Sequence, residues 1–303
     1  EVMPQTDINH ADIRTRFIFD DMPVRGLHVR LENVWEHIAG QKHYPAAIRR
    51  ALGELLAAGA LLSSNLKNEG TLIVQVQGQG RLKMLVVEAT SDNTVRATAR
   101  WDETADIRAD ESLTDLLGSN SVFVLTHQPK DAEPWQGVVP LEGDNIAQML
   151  MNYIKRSEQL DTHIVLAASD HVSGGLLVQR LPEEELDTES WELISTLTQT
   201  LTPKELTALD AQHVLYRLYH ETPPRVFDPE SIEFACTCSH GKVSDMLLML
   251  GGEEVGGIVA EQGSIQIDCD FCHTKYVFDE TDVNALFGGD VVGIVRRQGS
   301  RFQ

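Results

Sequence analysis

The sequence predicts an α+β protein in successive parts. A mixed α/β-sheet N-terminal domain spans 1–182, a helical linker 183–230, a small cysteine-bearing domain 231–287 and a tail 288–303. Three observations predict it. Strand-like and helix-like patterns alternate as far as Pro182, acidic and amphipathic short-helix patterns follow, and all four cysteines fall in the last quarter of the chain as two tight pairs.

Taken in order, 17–19 and 26–31 read as early strands from their apolar, β-branched and aromatic content. Tyr44-Pro45 opens a long helix through Leu66, with Ile48, Leu52, Leu55, Leu56, Leu62 and Leu66 near helical spacing. The small residues Ala57, Ala58, Gly59 and Ala60 permit close packing of that helix. Segments 71–76 and 82–88, joined by Gly78-Gln79-Gly80, form a hairpin signal, and 94–101 alternates as a further strand. The glycines mark a turn and not a phosphate loop, because no helix of dinucleotide spacing follows. Strands over 121–127 and 137–141, a helix over 144–156 and strands over 164–168 and 175–181 complete the first domain. It carries neither a nucleophile elbow nor a recognisable triad spacing, so no catalytic residue is expected.

Beyond Pro182 the texture changes. Residues 183–230 hold eleven acidic and three basic side chains. Thr202-Pro203-Lys204-Glu205 is a capping-box start, and Asp210 can cap the next helix. Trp191, Ile194 and Leu197 form one apolar stripe, and Val214, Leu215, Leu218 and Tyr219 another. Helices this short do not hold themselves in water, so they must dock, and the preceding domain is the nearest surface.

The cysteine pairs are Cys236-Thr237-Cys238 and Cys269-Asp270-Phe271-Cys272. Two pairs brought together make one thiolate cage, which suits the tetrahedral preference of zinc, so Cys236, Cys238, Cys269 and Cys272 are the expected ligands of one Zn2+. Ile232, Phe234, Cys236 and Cys238 alternate as along a strand, Ile265, Ile267 and Cys269 repeat the pattern, 276–278 returns as a hairpin arm, and 243–250 supplies a helix between. With few large apolar residues, the segment should depend on the metal for its fold.

Other readings of the cysteines compete. Two disulfides would suit a secreted chain, but no charged and apolar leader pattern opens the sequence, and the expected location is the cytoplasm, where thiols stay reduced. Cys269 to His273 spells C-x-x-C-H, yet haem attachment would leave the C-x-C pair without a role. A thioredoxin-like dithiol lacks a helix opening at the second pair. His240 and His273 sit beside the pairs and are expected as solvated or supporting groups. Glu1 and Val2 ahead of Met3 are expected to be an expression remnant.

With 46 acidic against 25 basic residues, the formal charge is −21, and residues 231–287 hold ten carboxylates against Lys242 and Lys275 alone. That excludes a nucleic-acid-binding ribbon and an anionic membrane surface as expected partners. Arg296, Arg297 and Arg301 are expected in a frayed tail.

Several motifs resemble one family over nearly the whole chain. They are Glu54-Leu55-Leu56 with Leu66-Lys67, Val74-Gln75-Val76-Gln77-Gly78, the run from Gln136 to Asp144, Ser157-Glu158-Gln159-Leu160, the run from Leu215 to Glu221, Phe234 to Ser239, and Cys269 to Cys272. The chain is identified by them as similar to the heat-shock protein 33 family of redox-regulated chaperones. The resemblance implies a zinc-binding redox-switch domain whose switch residues are Cys236, Cys238, Cys269 and Cys272. It implies a zinc-bound, inactive reduced state, and an oxidised state that holds unfolding client proteins without ATP, with two disulfides, zinc released, the linker unfolded and the chain a homodimer. Ser239-His240-Gly241 and His273 depart from the family pattern without removing a ligand. The competing functions are a constitutive zinc-stabilised interaction module and a thiol-disulfide oxidoreductase.

Overall fold

The computed structural model describes residues 11–66, 68–182 and 188–299, and two units separate between Ala235 and Cys236. Glu1 to Met3, the first five linker residues 183–187, and Arg301 lie outside the described residues.

In the first unit, β1 (Asp12–Ile18) and β2 (Val24–Leu31) pair antiparallel and lead into helices α1 (Asn33–Ala39) and α2 (Ala46–Leu62). Strands β3 (Gly70–Gln77), β4 (Leu82–Thr90) and β5 (Thr94–Trp101) form a meander, followed by the short helix α3 (Leu113–Leu117). Then come β6 (Val122–Pro129), β7 (Trp135–Pro140), α4 (Ile146–Ser157), β8 (Thr162–Ala168) and β9 (Ser173–Arg180). The linker supplies α5 (Thr188–Gln199), α6 (Pro203–Ala208) and α7 (Ala211–Tyr219). Three two-residue strands end the unit: β10 (Arg225–Val226), β11 (Glu230–Ser231) and β12 (Glu233–Phe234).

These strands make two sheets. Sheet 1 runs β10-β1-β2-β9-β8, with β11 also on β1, and sheet 2 runs β12-β5-β4-β3-β6-β7. Helix α2 packs against strands of both. Twelve of its seventeen residues are buried, more than one amphipathic face can supply, so the helix is covered on opposite sides. Two glycines allow this. A Cβ on Gly53 would stand 2.5 Å from the Ala168 Cβ in sheet 1, and one on Gly59 would stand 2.6 Å from Val87 Cγ1 in sheet 2.

The helix stops at Leu62, short of Leu66, because side chains capture its last carbonyls. Arg14 Nη1 and Ser63 Oγ both donate to the Ala60 oxygen, and a 3-10 turn over Ser63–Asn65 follows. Helix α1 had no sequence signal. Its start is fixed from twenty residues away by Asp12 Oδ1, which accepts from the amides of Glu32 and Val34.

Side chains alternate across sheet 1. Leu27, Val29 and Leu31 of β2 join the core around α2, whereas Val24 joins Phe17, Phe19, Leu176 and Val178 on the opposite face. The linker helices cover that second face with Ile194, Leu206, Val214, Leu215, Leu218 and Tyr219. Thr202 and Glu205 close a capping box on α6, and the Asp210 carboxylate accepts the His213 amide at the start of α7. Tyr219 and Thr198 join α7 to α5 through their hydroxyls at 2.6 Å, and Arg30 Nη1 donates to the Thr207 carbonyl in the last turn of α6 at 2.8 Å.

The second unit contains α8 (His240–Leu250), α9 (Gly252–Gln262), the hairpin β13 (Ser264–Asp268) and β14 (Lys275–Asp279), α10 (Glu280–Phe287) and α11 (Val291–Gly299). Val243, Leu247, Val255, Val259, Ile265, Phe278, Val283 and Val292 form its core. The sequence reads 288–303 as a tail, yet 291–299 is helical and Val292 is fully buried. Gly256 permits this packing, since a Cβ there would come within 3.3 Å of the Val291 carbonyl oxygen.

Replacing Gly59 with Ala tests the double-sided burial of α2. Helix propensity alone favours Ala by about 1 kcal/mol. Overpacking against Val87 should outweigh it, so urea unfolding should show Gly59→Ala destabilised by roughly 1–3 kcal/mol.

Candidate metal centre

Cys236 and Cys238 lie in the irregular segment between β12 and α8, and Cys269 and Cys272 in the turn between β13 and β14. Alternation of Ile232, Phe234, Cys236 and Cys238 suggested one continuous strand. Regular pairing instead ends at Phe234, with the Ala235 amide on the Val95 carbonyl as the next bond, and Ser239 then caps α8 by accepting the Lys242 amide. The sulfurs converge by irregular backbone, not by strand periodicity.

The second pair sits on a knuckle. The Cys269 amide donates to the Thr274 carbonyl at 3.0 Å, and the His273 amide returns to the Cys269 carbonyl at 2.8 Å. Closing that turn places His273 at φ 55°, the left-handed region where a residue without a Cβ is at ease.

The four Sγ atoms all lie within 4.8 Å of one another. Cys236 approaches Cys269 at 3.7 Å and Cys238 approaches Cys272 at 3.4 Å, two contacts that run between the pairs. A tetrahedron with metal–sulfur bonds of about 2.3 Å has edges of about 3.8 Å, close to these separations. Four half-buried sulfurs so placed could hold a metal ion. The donor set fits a soft or borderline cation, and four protein ligands leave no open position for hydrolytic chemistry.

The four sulfurs do not share one protonation behaviour. Burial pushes the Cys269 thiol up to about 12, against opposing backbone amides of Cys272 and Phe271. Burial also pushes Cys272 up, but bonds from the Thr274 hydroxyl and amide and from the Cys238 thiol outweigh it and bring Cys272 down to about 6. Cys238 is raised, chiefly by burial, over the hydroxyl of Tyr276. Like charges this close cannot all ionise without a compensating cation.

Two supporting groups had no sequence signal as such. Tyr276 Oη donates to Cys238 Sγ at 3.1 Å, and Thr274 Oγ1 lies 3.2 Å from Cys272 Sγ. Both stand on the return arm of the knuckle, where the sequence showed only hairpin residues. Neither His240 nor His273 joins the four-sulfur cluster. The His240 ring packs on Phe278 at 4.6 Å between centroids, and His273 Nε2 is buried without a hydrogen-bond partner among the described residues.

Replacing Tyr276 with Phe removes one hydrogen bond to sulfur and leaves the ring. Titration of the reduced, metal-free chain with Co2+, followed by the thiolate-to-metal absorption band, should show affinity lowered by roughly tenfold or more.

The comparisons with known proteins cover this centre and the sheets alike. The model of the family described as "Hsp33 protein" matches residues 12–279. A 33 kDa chaperonin of Neisseria meningitidis is 82% identical over 294 residues, 97% of either chain. A 33 kDa chaperonin of Chromobacterium violaceum is 49% identical over 292 residues, 96% of this chain and 98% of its own. The crystal structure of the 33 kDa chaperonin of Thermotoga maritima matches in fold with a TM-score of 0.79 at 24% identity, covering 92% of this chain and 98% of that one. No helix among the described residues is long and apolar enough to cross a membrane. Sequence identity of this level, sustained from β1 through both cysteine pairs, assigns the chain to the Hsp33 family of chaperones.

Proposed function

We propose that this chain is a cytoplasmic, ATP-independent holdase that oxidation switches on, with no catalytic residue. The observation that carries the reading is the convergence of four sulfurs from two distant pairs, within 4.8 Å, in a chain of a chaperone family. Cys236, Cys238, Cys269 and Cys272 would hold one zinc ion. When bound, it supplies a cross-link between the segment before α8 and the knuckle after β13, worth on the order of 10 kcal/mol in small modules.

Peroxide is the oxidant class that fits the thiols. Two cysteine thiols give up two protons and two electrons to form one S–S bond, and the peroxide is reduced to two water molecules. Within-pair bridges, Cys236 with Cys238 and Cys269 with Cys272, close the smallest loops. A disulfide sulfur carries no anionic charge for a cation, so the oxidised residues no longer tie the two segments together. Among the described residues, eight buried apolar side chains and the partly buried ones packed on them are then left to hold the second unit.

The linker is the proposed releasable layer. Its helices have twelve, six and nine residues, each below the length that is stable alone in water. Leaving sheet 1 would uncover Phe17, Phe19, Val24, Leu176 and Val178 as an apolar surface for unfolding clients, while the freed linker stays well solvated by its acidic excess. The oxidised form is proposed to act as a homodimer. Nucleic acid and membranes are not proposed partners.

Aggregation of a thermally unfolding client, followed by light scattering, tests the switch. The reduced, zinc-loaded chain should give little protection and the peroxide-treated chain strong protection, with zinc lost and within-pair bridges found by peptide mapping. Equal protection in both states would instead identify a constitutive interaction module. Turnover of disulfide substrates by the metal-free chain would identify an oxidoreductase.

Replacing Leu215 and Leu218 with Glu puts two charges into the docking stripe while leaving the cysteines alone. Burying them unpaired is so unfavourable that the reduced double variant should protect clients part-way to the oxidised level.

A further inference from the structure

His28 is 0% exposed, and neither of its ring nitrogens has a hydrogen-bond partner among the described residues. It lies in the middle of β2, opposite Thr15 on β1 and Leu176 on β9. Period-two alternation from Val24 places it on the face of sheet 1 that the linker helices cover. A neutral imidazole there leaves a donor and an acceptor unsatisfied, and a protonated one adds a buried charge, so the position is costly in either state.

The charged neighbours sharpen the point. On its own strand, Arg30 already brings one cation to this face, pairs it with the Glu32 carboxylate at 2.7 Å and donates through Nη1 to the Thr207 and Leu209 carbonyls, at 2.8 and 3.2 Å, at the end of α6. From α7 comes Asp210, whose carboxylate accepts the His213 amide and pairs with the His213 ring at 2.8 Å. Among the described residues, Arg30 and Asp210 are the charged groups that act on the ring; opposite it stand Thr15 on β1 and Leu176 on β9, and α5 and α6 cover this face with Ile194 and Leu206. Burial, reinforced by Arg30 and only partly offset by Asp210, holds the imidazole down to about 4.

We propose that His28 makes the linker layer acid-sensitive: protonation of its ring favours release of α6 and α7 from sheet 1 without oxidation of any cysteine. This rests on the reading of α5 to α7 as the releasable layer. With the layer docked the ring is held neutral, and with the layer released and the ring hydrated it returns to its ordinary value of 6.5. The released state therefore binds the proton more readily. Docking is at full strength above pH 6.5 and weakens as pH falls from there towards 4, the ratio of docked to released chain dropping by up to about tenfold per pH unit.

Hydrogen exchange on the reduced full chain tests this, reading the peptides that span 203–219 at pH 7.5 and at pH about 5.5, corrected for intrinsic exchange rates. In the wild-type chain, protection of these peptides should fall by up to about tenfold at the lower pH. In His28→Leu, which fills the site without a titratable group, protection should not change with pH. His28→Gln gives the same readout if the leucine variant folds poorly. An equal loss of protection in wild type and variants, or no loss in the wild type, overturns the proposal. Client aggregation followed at both pH values separates the two readings. Acid release without client protection leaves the histidine switch standing and overturns the role of the linker as the layer that controls client binding.

Discussion

Sheet 1 has two apolar faces, and the organisation of the first unit follows from the need to cover both. One face meets α2, which is itself closed in from behind by sheet 2. The other meets three short helices joined to the rest by a handful of polar ties, among them the Tyr219 to Thr198 contact and the Arg30 bonds to linker carbonyls. The two covers are unequal in kind. Removing α2 would break up the core, whereas removing α5 to α7 would forfeit one layer and leave the sheet backed on its other side.

Between that layer and the first cysteine lies a stretch of short pairings. After α7 the backbone is stitched to β1 by β10 and β11 and to β5 by β12, each pairing only two residues long, and Cys236 follows two residues after β12. Ile232 is buried among these stitches. Charge reinforces these short pairings, since Arg14 pairs with Glu230 at 2.7 Å and Arg225 with Asp20 at 2.8 Å, whereas the helices upstream are held mainly by side-chain burial.

Much of this was legible in the sequence because it is local. The α2 periodicity with its small residues, the capping box at Thr202 and the two cysteine pairs are each written within a few positions. What escaped was set by distant partners. Asp12 caps α1 from another strand, α9 begins at Gly252 with no side-chain cap, and α11 is helical because Gly252 and Gly256 let it lie close on α9. In the candidate metal centre the grouping of the four cysteines was readable from spacing. The supporting hydroxyls of Tyr276 and Thr274 were not, because only the closed hairpin brings them to sulfur. His28 shares β2 with Arg25 and Arg30, so nothing local marks it as buried, and its burial depends on helices more than a hundred and fifty positions downstream.

The confinement of α2 between two sheets also bears on recovery. Because Gly53 and Gly59 let both sheets close on one helix, the inner face of sheet 1 is backed by α2 independently of the cover on its outer face. That face is a standing mould. In the proposed switch, helices returning to it would need only to wind and settle against a preformed surface, steps that belong to the microsecond range for short segments, while restoring the thiols would be a matter of cellular reductants and far slower. Under the proposed redox switch, resetting the protein would be limited by sulfur chemistry and not by refolding, so its memory of an oxidising episode would last as long as its disulfides did.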